Sequence, residues 1–200
     1  MAAVAQEVDV ALMYRLSDAG RQLSNHLSWY SVAVGGMIAA DMFNAKDGTL
    51  VDDFAHADCA NQRMNFRVYD TESDPGTSVE AFMHSVDNGT NFVVGPARSA
   101  CSLPVALLAS IKEIPMISYW STSTAFDEES YDYFYRTIPS DAAATTTVID
   151  FLADQGWKYF GILFVDDFYG EAYKTATATQ AREKGMYPSV AGFTNGDRNS

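Results

Sequence analysis

Apolar residues along the chain alternate between two spacings, and the switches mark its elements. Val8–Leu16 (VDVALMYRL) is an apolar run of strand length. Trp29 to about Asn44 repeats at helical spacing and is rich in small residues, which predicts a helix. Asn65–Thr71 (NFRVYDT) is β-rich. Asp74-Pro75 is a helix-start signal, followed by an apolar stripe at Val79, Phe82, Met83 and Val86, and Asp87–Gly89 is turn chemistry. A strand Asn91–Gly95, a helix from about Ser99 to Lys112 and a strand Ile114–Tyr119 come next. Tyr133–Pro139 is short and extended. Ser140-Asp141 opens a helix as its cap, Lys158–Val165 is a strand, Tyr169–Gly185 is a helix, and Tyr187–Phe193 makes one last strand.

Strands that alternate with helices predict an α/β fold, a parallel sheet with helices on both faces. The segment Lys46–Asn65 is a loop of about 20 residues, longer than compact domains usually carry. No internal repeat or Gly/Ser-rich linker interrupts the order, and the extended Arg136–Ser140 is the natural place for a boundary.

Composition narrows the classes. The chain has 200 residues, 48% of them hydrophobic, with a net charge of -13. That balance excludes a nucleic-acid surface, which needs clustered Lys and Arg, and disfavours anionic lipid. The acids of residues 47–60 and 127–132 are read as solvated loops. Trp29–Phe43 is the longest apolar stretch, too short for a span of roughly 20 residues and interrupted by Gly35-Gly36 and Asp41. The N-terminal MAAVAQEVDV has neither the basic start nor the apolar run of a signal peptide. Two cysteines, Cys59 and Cys101, fit either a disulfide or two buried thiols.

Two strand-to-helix turns carry the candidate chemistry. Parallel sheets present ligands at the carboxyl ends of their strands. Gly95–Ser99 lies at such an end, where Gly95 allows a tight turn and the helix N-terminus with the Ser99 hydroxyl suits an anion. The plainer reading makes Ser99 a helix N-cap. The turn lacks the closing Gly-Lys-Ser/Thr of a phosphate loop and is not GxGxxG, which disfavours nucleotides. Tyr119–Thr124 (YWSTST) ends the next strand with four consecutive hydroxyl residues, suited to reading a small polar group or to local turn bonds. Asp166-Asp167 after a strand suit a divalent cation, but no phosphate loop or third acid supports them. His26, His56 and His84 are not at metal-ligand spacing. Asn88-Gly89-Thr90 is both a glycosylation sequon and a good turn.

Taken in order, VGPARSACSLPVALLASIKEIPMISYWSTSTAFDEESYDYFYRTIPSD and GWKYFGILFVDDFYGEA resemble the extracellular ligand-binding region of class C G-protein-coupled receptors, such as metabotropic glutamate and type B GABA receptors. Natriuretic-peptide receptors and bacterial amino-acid binding proteins share the fold. The resemblance covers about 80 residues, Val93 to about Gly170, and implies a type I periplasmic-binding-protein fold that closes about a hinge when ligand bridges its lobes. It implies that Ser99 holds the ligand carboxylate, that Thr122 with Ser121 contacts the α-amino and carboxyl groups, that Asp141 pairs with the ammonium, and that Tyr169 lays its ring against the cationic end. It implies a small-molecule ligand of the amino-acid class, no catalysis, no cofactor, no metal, and a dimer on the outside of the plasma membrane in the intact receptor.

Departures from the pattern shape the remaining expectations. Glutamate-sensing members carry a basic residue on the first helix, yet Trp29–Asn44 has no Lys or Arg, which counts against glutamate as the ligand unless Arg98 beside Ser99 substitutes. Trp120 stands where members often have a small residue, either stacking on a ligand or filling the cleft. Cys59 and Cys101 do not fall where the family's usual disulfide would, which leaves a pairing of the two with each other and two free thiols as equal alternatives if the chain is secreted. The family's binding region crosses between lobes three times, whereas this sequence crosses once near Pro139. Residues 1–138 are therefore expected to be an incomplete first lobe and 139–200 the truncated start of the second, a fragment without the downstream membrane module. The alternatives are an amino-acid binding protein of a transporter and, from another class, a metal-dependent phosphoesterase-like enzyme using Asp166 and Asp167.

Overall fold

A computed structural model describes residues 6–17, 27–56, 60–127 and 130–194. The chain divides into two compact units, Met1–Trp120 with Tyr133–Thr137 and Ser121–Asp132 with Ile138–Ser200. The segment Ser121–Asp132, expected in the first lobe, belongs by its contacts to the second unit.

The first unit is a five-stranded parallel sheet ordered β2-β1-β3-β4-β5. Its strands are β1 (Gln6–Tyr14), β2 (Gln62–Asp70), β3 (Phe92–Val94), β4 (Met116–Ser118) and β5 (Phe134–Arg136). The helices α1 (Leu27–Ala45), α2 (Pro75–Asp87) and α3 (Ser99–Lys112) surround it. β1 and β2 each begin two or three residues earlier than their apolar pattern suggests. Gln6 and Glu7 pair with Gln62 and Arg63, so ladder hydrogen bonds recruit polar ends that hydropathy reads as loop.

Val10 through Tyr14 are all buried, as a central strand covered on both faces requires. Val10, Leu12 and Tyr14 meet Ala33 of α1 on one face, with Met64, Phe66 and Val94 around them. The alternate set follows the period of two: Ala11, Val93 and Met116 share a register row and are fully buried on the face that α2 and α3 cover with Phe82, Val105 and Ala109. Asp74 caps α2 as expected, its carboxylate accepting from the Thr77 N–H at 2.8 Å. The buried stripe of α2 is Ser78, Phe82 and Ser85, one residue round from the predicted one, with Val79, Met83 and Val86 half-buried beside it. The predicted long loop narrows to residues 46–61 and contains a 3-10 turn, Asp52–Ala55.

The second unit holds α4 (Ala142–Asp154), β6 (Tyr159–Val165), α5 (Phe168–Glu183) and β7 (Tyr187–Phe193). β6 and β7 pair in parallel from Tyr159↔Tyr187 to Val165↔Phe193. Ile149, Ala181 and Met186 form its core, with Leu152, Ala153 and Phe160 packed round them. That core covers one face of the sheet. On the opposite face Tyr159 is 76% and Leu163 73% exposed, and the Tyr159 and Tyr187 rings stack at 5.2 Å.

Candidate functional site

The second unit brings Thr122, Asp141 and Tyr169 together. A backbone hydrogen bond ties the hydroxyl segment to the start of α4, the Asp141 N–H donating to the Thr122 carbonyl at 2.9 Å. Asp141 stands at the N-cap with helical dihedrals (φ -68°, ψ -3°) and its side chain caps nothing. That corrects its reading as a cap and has a physical cause: an N-cap carboxylate reaches back only from an extended backbone. The neighbouring Ser140 takes that role in part. Its Oγ accepts from the Ala142 N–H at 3.3 Å and donates to Asp127 Oδ2 at 2.5 Å.

Tyr169 is placed by the start of α5. Asp167 caps this helix, accepting from the Gly170 N–H at 2.9 Å. A Cβ on Gly170 would lie 1.9 Å from the Val165 carbonyl oxygen, so only glycine lets β6 turn this closely into α5. The Tyr169 hydroxyl then hydrogen-bonds the side chains of Asp141 and Thr122. Burial, and after it the Asp141 carboxylate, pushes the phenol up to about 12, with the Thr122 bond working the other way.

Asp141 keeps one acceptor unused. Its Oδ2 is buried and has no hydrogen-bond partner. A carboxylate oxygen without donors normally costs free energy, on the order of 1–3 kcal/mol. A half-buried phenol, a threonine hydroxyl and a carboxylate oxygen in need of donors are suited to a small ammonium group, which brings three N–H donors and a positive charge.

The other predicted positions fall elsewhere. Ser121 is fully buried and Ser123 nearly so, both engaged within the protein. Ser99 lies in the first unit, 5% exposed, as the first residue of α3. It is not the N-cap. That place belongs to Arg98, whose backbone is extended (φ -77°, ψ 134°). The preceding turn depends on Gly95, at φ 99°, where a Cβ would sit 2.2 Å from the Met13 carbonyl oxygen. Arg98 Nη1 donates to the Ser73 carbonyl at 2.7 Å and to its Oγ at 3.2 Å, which holds the guanidinium against the loop before α2.

Cys101 is a buried free thiol, pushed up by burial against a hydrogen bond from Ser78, while Cys59, its expected partner, lies outside the described residues, as does His26. Asn88 is exposed at the end of α2, its Nδ2 donating to the His84 carbonyl at 2.9 Å. The carboxylate pair is divided: Asp167 is used as a cap and Asp166 is exposed. Among the described residues no group of three or more His, Cys, Asp or Glu is placed to hold a metal ion, and no helix is long and apolar enough to cross a membrane.

One assembly in the first unit joins Trp120, singled out above, to Arg15 and Trp29, which carried no sequence signal. The Arg15 guanidinium lies over the Trp29 ring at 5.3 Å from its centroid, and Trp29 meets Trp120 at 5.5 Å. Trp120 lies far along the chain from Arg15 and Trp29, and ring stacking leaves no periodicity to read.

Comparison with known proteins gives the family. The family described as "Receptor family ligand binding region" matches residues 51–192. G-protein coupled receptor family C group 6 member A of Carassius auratus is 30% identical over 142 residues, covering 63% of this chain and 16% of that protein. Human metabotropic glutamate receptor 8 is 35% identical over 94 residues, 46% of this chain and 10% of the receptor. Metabotropic glutamate receptor 4 of Rattus norvegicus is 34% identical over 94 residues, with 46% and 10% covered. The chain thus spans a small part of the length of these relatives. It belongs to the receptor-family ligand-binding region, a family of receptors and not of enzymes.

Proposed function

We propose that this chain is the amino-acid-sensing part of a cell-surface receptor whose two lobes close on the ligand. The observation that carries the reading is the buried, unpartnered Asp141 Oδ2 beside the Tyr169 hydroxyl and Thr122. An α-ammonium supplies the missing donors, and charge-assisted bonds of this kind are roughly twice as strong as neutral ones. The Tyr169 ring adds a cation–π contact of about 0.5–2 kcal/mol. Ser99, with the N–H groups at the start of α3, takes the α-carboxylate, and Thr122, backed by the buried Ser121, shapes the polar end of the ligand. Ligand that holds the closed state better than the open one shifts the population toward closure. In the intact protein this region stands outside the cell as a dimer and passes closure to a membrane module. The named relatives are receptors, which favours this reading over a transporter's binding protein.

The test is a thermal-shift series with α-amino acids, GABA and simple carboxylates on the native chain, Asp141→Asn and Tyr169→Phe. An α-amino acid at 100 times its Kd stabilises the native chain by about 2.7 kcal/mol. Asp141→Asn is expected to abolish the response and Tyr169→Phe to weaken it. An undiminished response in Asp141→Asn, or stabilisation by simple carboxylates as great as by amino acids, would overturn the assignment of the ammonium.

A further inference from the structure

Asn88-Gly89-Thr90 is the one Asn-x-Ser/Thr sequon in the sequence, and the function proposed above makes no use of it. It forms the turn between α2 and β3. Asn88 is the C-cap of α2, its backbone N–H donating to the His84 carbonyl at 3.2 Å and the Ser85 carbonyl at 3.1 Å. Gly89 takes the left-handed φ of 82° that ends the helix, and among the described residues the place its Cβ would take is open. Thr90 is turned inward, only 6% exposed, and its backbone N–H donates to the Ser85 carbonyl at 3.1 Å.

Helix termination accounts for two of the three residues. A left-handed position asks for glycine, and asparagine is common where helices stop. It does not account for the hydroxyl of Thr90, since the bond that places this residue comes from a backbone N–H that any residue but proline supplies. The Asn88 side chain is exposed. Its Nδ2 donates to the His84 carbonyl at 2.9 Å and reaches the Tyr69 hydroxyl only at 3.4 Å. An amide nitrogen has two hydrogens. Exchanging one for a sugar gives up the longer contact and keeps the other for His84.

The turn is also well placed and well held. It enters β3, whereas the Gly95–Ser99 turn leaves it, so the two lie at opposite ends of that strand in the first unit. The Asn91 N–H donates to the Asp9 carbonyl at 2.8 Å, and Arg67 ties the turn down from β2, donating to the Asn88 carbonyl and pairing with Asp9 at 3.3 Å.

We infer that Asn88 carries an N-linked oligosaccharide. This rests on the reading above that the region stands outside the cell, because the sugar is transferred in the secretory compartment. The donor is an oligosaccharide on a lipid diphosphate. Asn88 Nδ2 forms a bond to the anomeric carbon, the bond from that carbon to the diphosphate oxygen breaks, the lipid diphosphate leaves, and the amide proton passes to a base of the transferase. The Thr90 hydroxyl is read while the chain is still extended. Folding then buries Thr90 and leaves Asn88 outside. A bulky, solubilising glycan at this position keeps the amino edge of the sheet in solvent and leaves the Ser99 turn open.

The experiment expresses the full 200-residue chain behind a secretion leader in eukaryotic cells. Gel mobility is followed before and after an N-glycosidase acting in heavy-oxygen water, and the product is mapped by mass spectrometry. The expected result is a single mobility step that the enzyme removes from the folded chain, with heavy oxygen at residue 88 as Asn becomes Asp. Asn88→Gln and Thr90→Ala should lose the step, and Thr90→Ser should keep it. A step that survives in Asn88→Gln overturns the inference. So does one that the enzyme removes only after denaturation. A secreted chain without the step that still responds to an α-amino acid overturns this inference alone. A modified chain that responds to no amino acid supports it and overturns the ammonium site. Should a variant not be secreted, the position of the heavy oxygen in the native chain decides.

Discussion

The two units solve the same architectural problem to different degrees. In the first, β1 is central, and five consecutive residues from Val10 to Tyr14 are buried because helices cover both faces. In the second, β6 alternates between exposed and half-buried along most of its length, since α4 and α5 cover one face only. Burial on both faces locks a strand by packing, whereas burial on one leaves its register to pattern and hydrogen bonds. The polar site grows on the less buried unit. Thr122, Asp141 and Tyr169 come from a loop and two helix starts, where side chains are not consumed by core packing.

The sharpest way to test whether the units are built alike is at their tight turns. Gly95→Ala drives a Cβ to 2.2 Å from the Met13 carbonyl oxygen and Gly170→Ala to 1.9 Å from that of Val165. Both contacts are with backbone, so neither can be relieved by a side-chain rotation. Each substitution is expected to cost roughly 3 kcal/mol or more, measured by urea unfolding. A cost at Gly170 well below that at Gly95 would mean that the second unit yields where the first does not.

Core truncations come next. Phe82→Ala in the first unit and Ile149→Ala in the second each remove a fully buried side chain, with expected losses of about 3–5 and 2–5 kcal/mol. On the open face of the second sheet Leu163→Ser should change stability by no more than about 0.5 kcal/mol. Following fluorescence and far-UV circular dichroism together shows whether the units unfold in one transition, which is the condition for comparing these numbers at all.

How much of this was legible in the sequence follows the same division. The α/β order, the start of α3 at Ser99 and both ends of β7 could be read, because each rests on local signals: Gly95-Pro96 before the helix, Gly185 before the strand. The grouping of Ser121–Asp132 with the second unit could not, since it depends on tertiary contacts such as the Asp141 N–H bond to the Thr122 carbonyl and the Ser140–Asp127 bond. Asp141 was expected as cap and ligand contact together. The structure shows a carboxylate that makes no cap bond and hydrogen-bonds the Tyr169 hydroxyl instead. Arg15 and Trp29 carried no signal, because the assembly they make with Trp120 exists only after the fold has brought that distant residue to them.

Smaller effects distinguish the helix starts. Asp74→Ala in the first unit and Asp167→Ala in the second each remove a cap seen as a carboxylate bond to a backbone N–H, and each is expected to cost about 1 kcal/mol. Asp141→Ala removes no cap bond and should not weaken α4 by that route. An equal loss at all three positions would contradict the division between carboxylates that cap a helix and one that does not.

The smallest and most local comparison is between tyrosines. Tyr14 and Tyr119 in the first unit are raised by burial, and Tyr169 in the second by burial and by the Asp141 carboxylate. A phenol whose folded value lies above its unfolded one contributes stability that is fully present below the ordinary value near 10 and lost as pH rises through the folded value. For Tyr169 that window runs from the ordinary value to about 12. Its partial exposure screens the effect, so the loss is expected to be smaller than the shift alone implies. Tyr169→Phe should flatten part of the alkaline fall in stability and remove one late-titrating phenol from the ultraviolet absorbance. Asp141→Asn should keep that phenol but bring its titration earlier, because the charge that opposes ionisation is gone. If Asp141→Asn leaves the titration where it was, burial alone holds Tyr169, and the carboxylate of the second unit's site is not in contact with the ring that completes it.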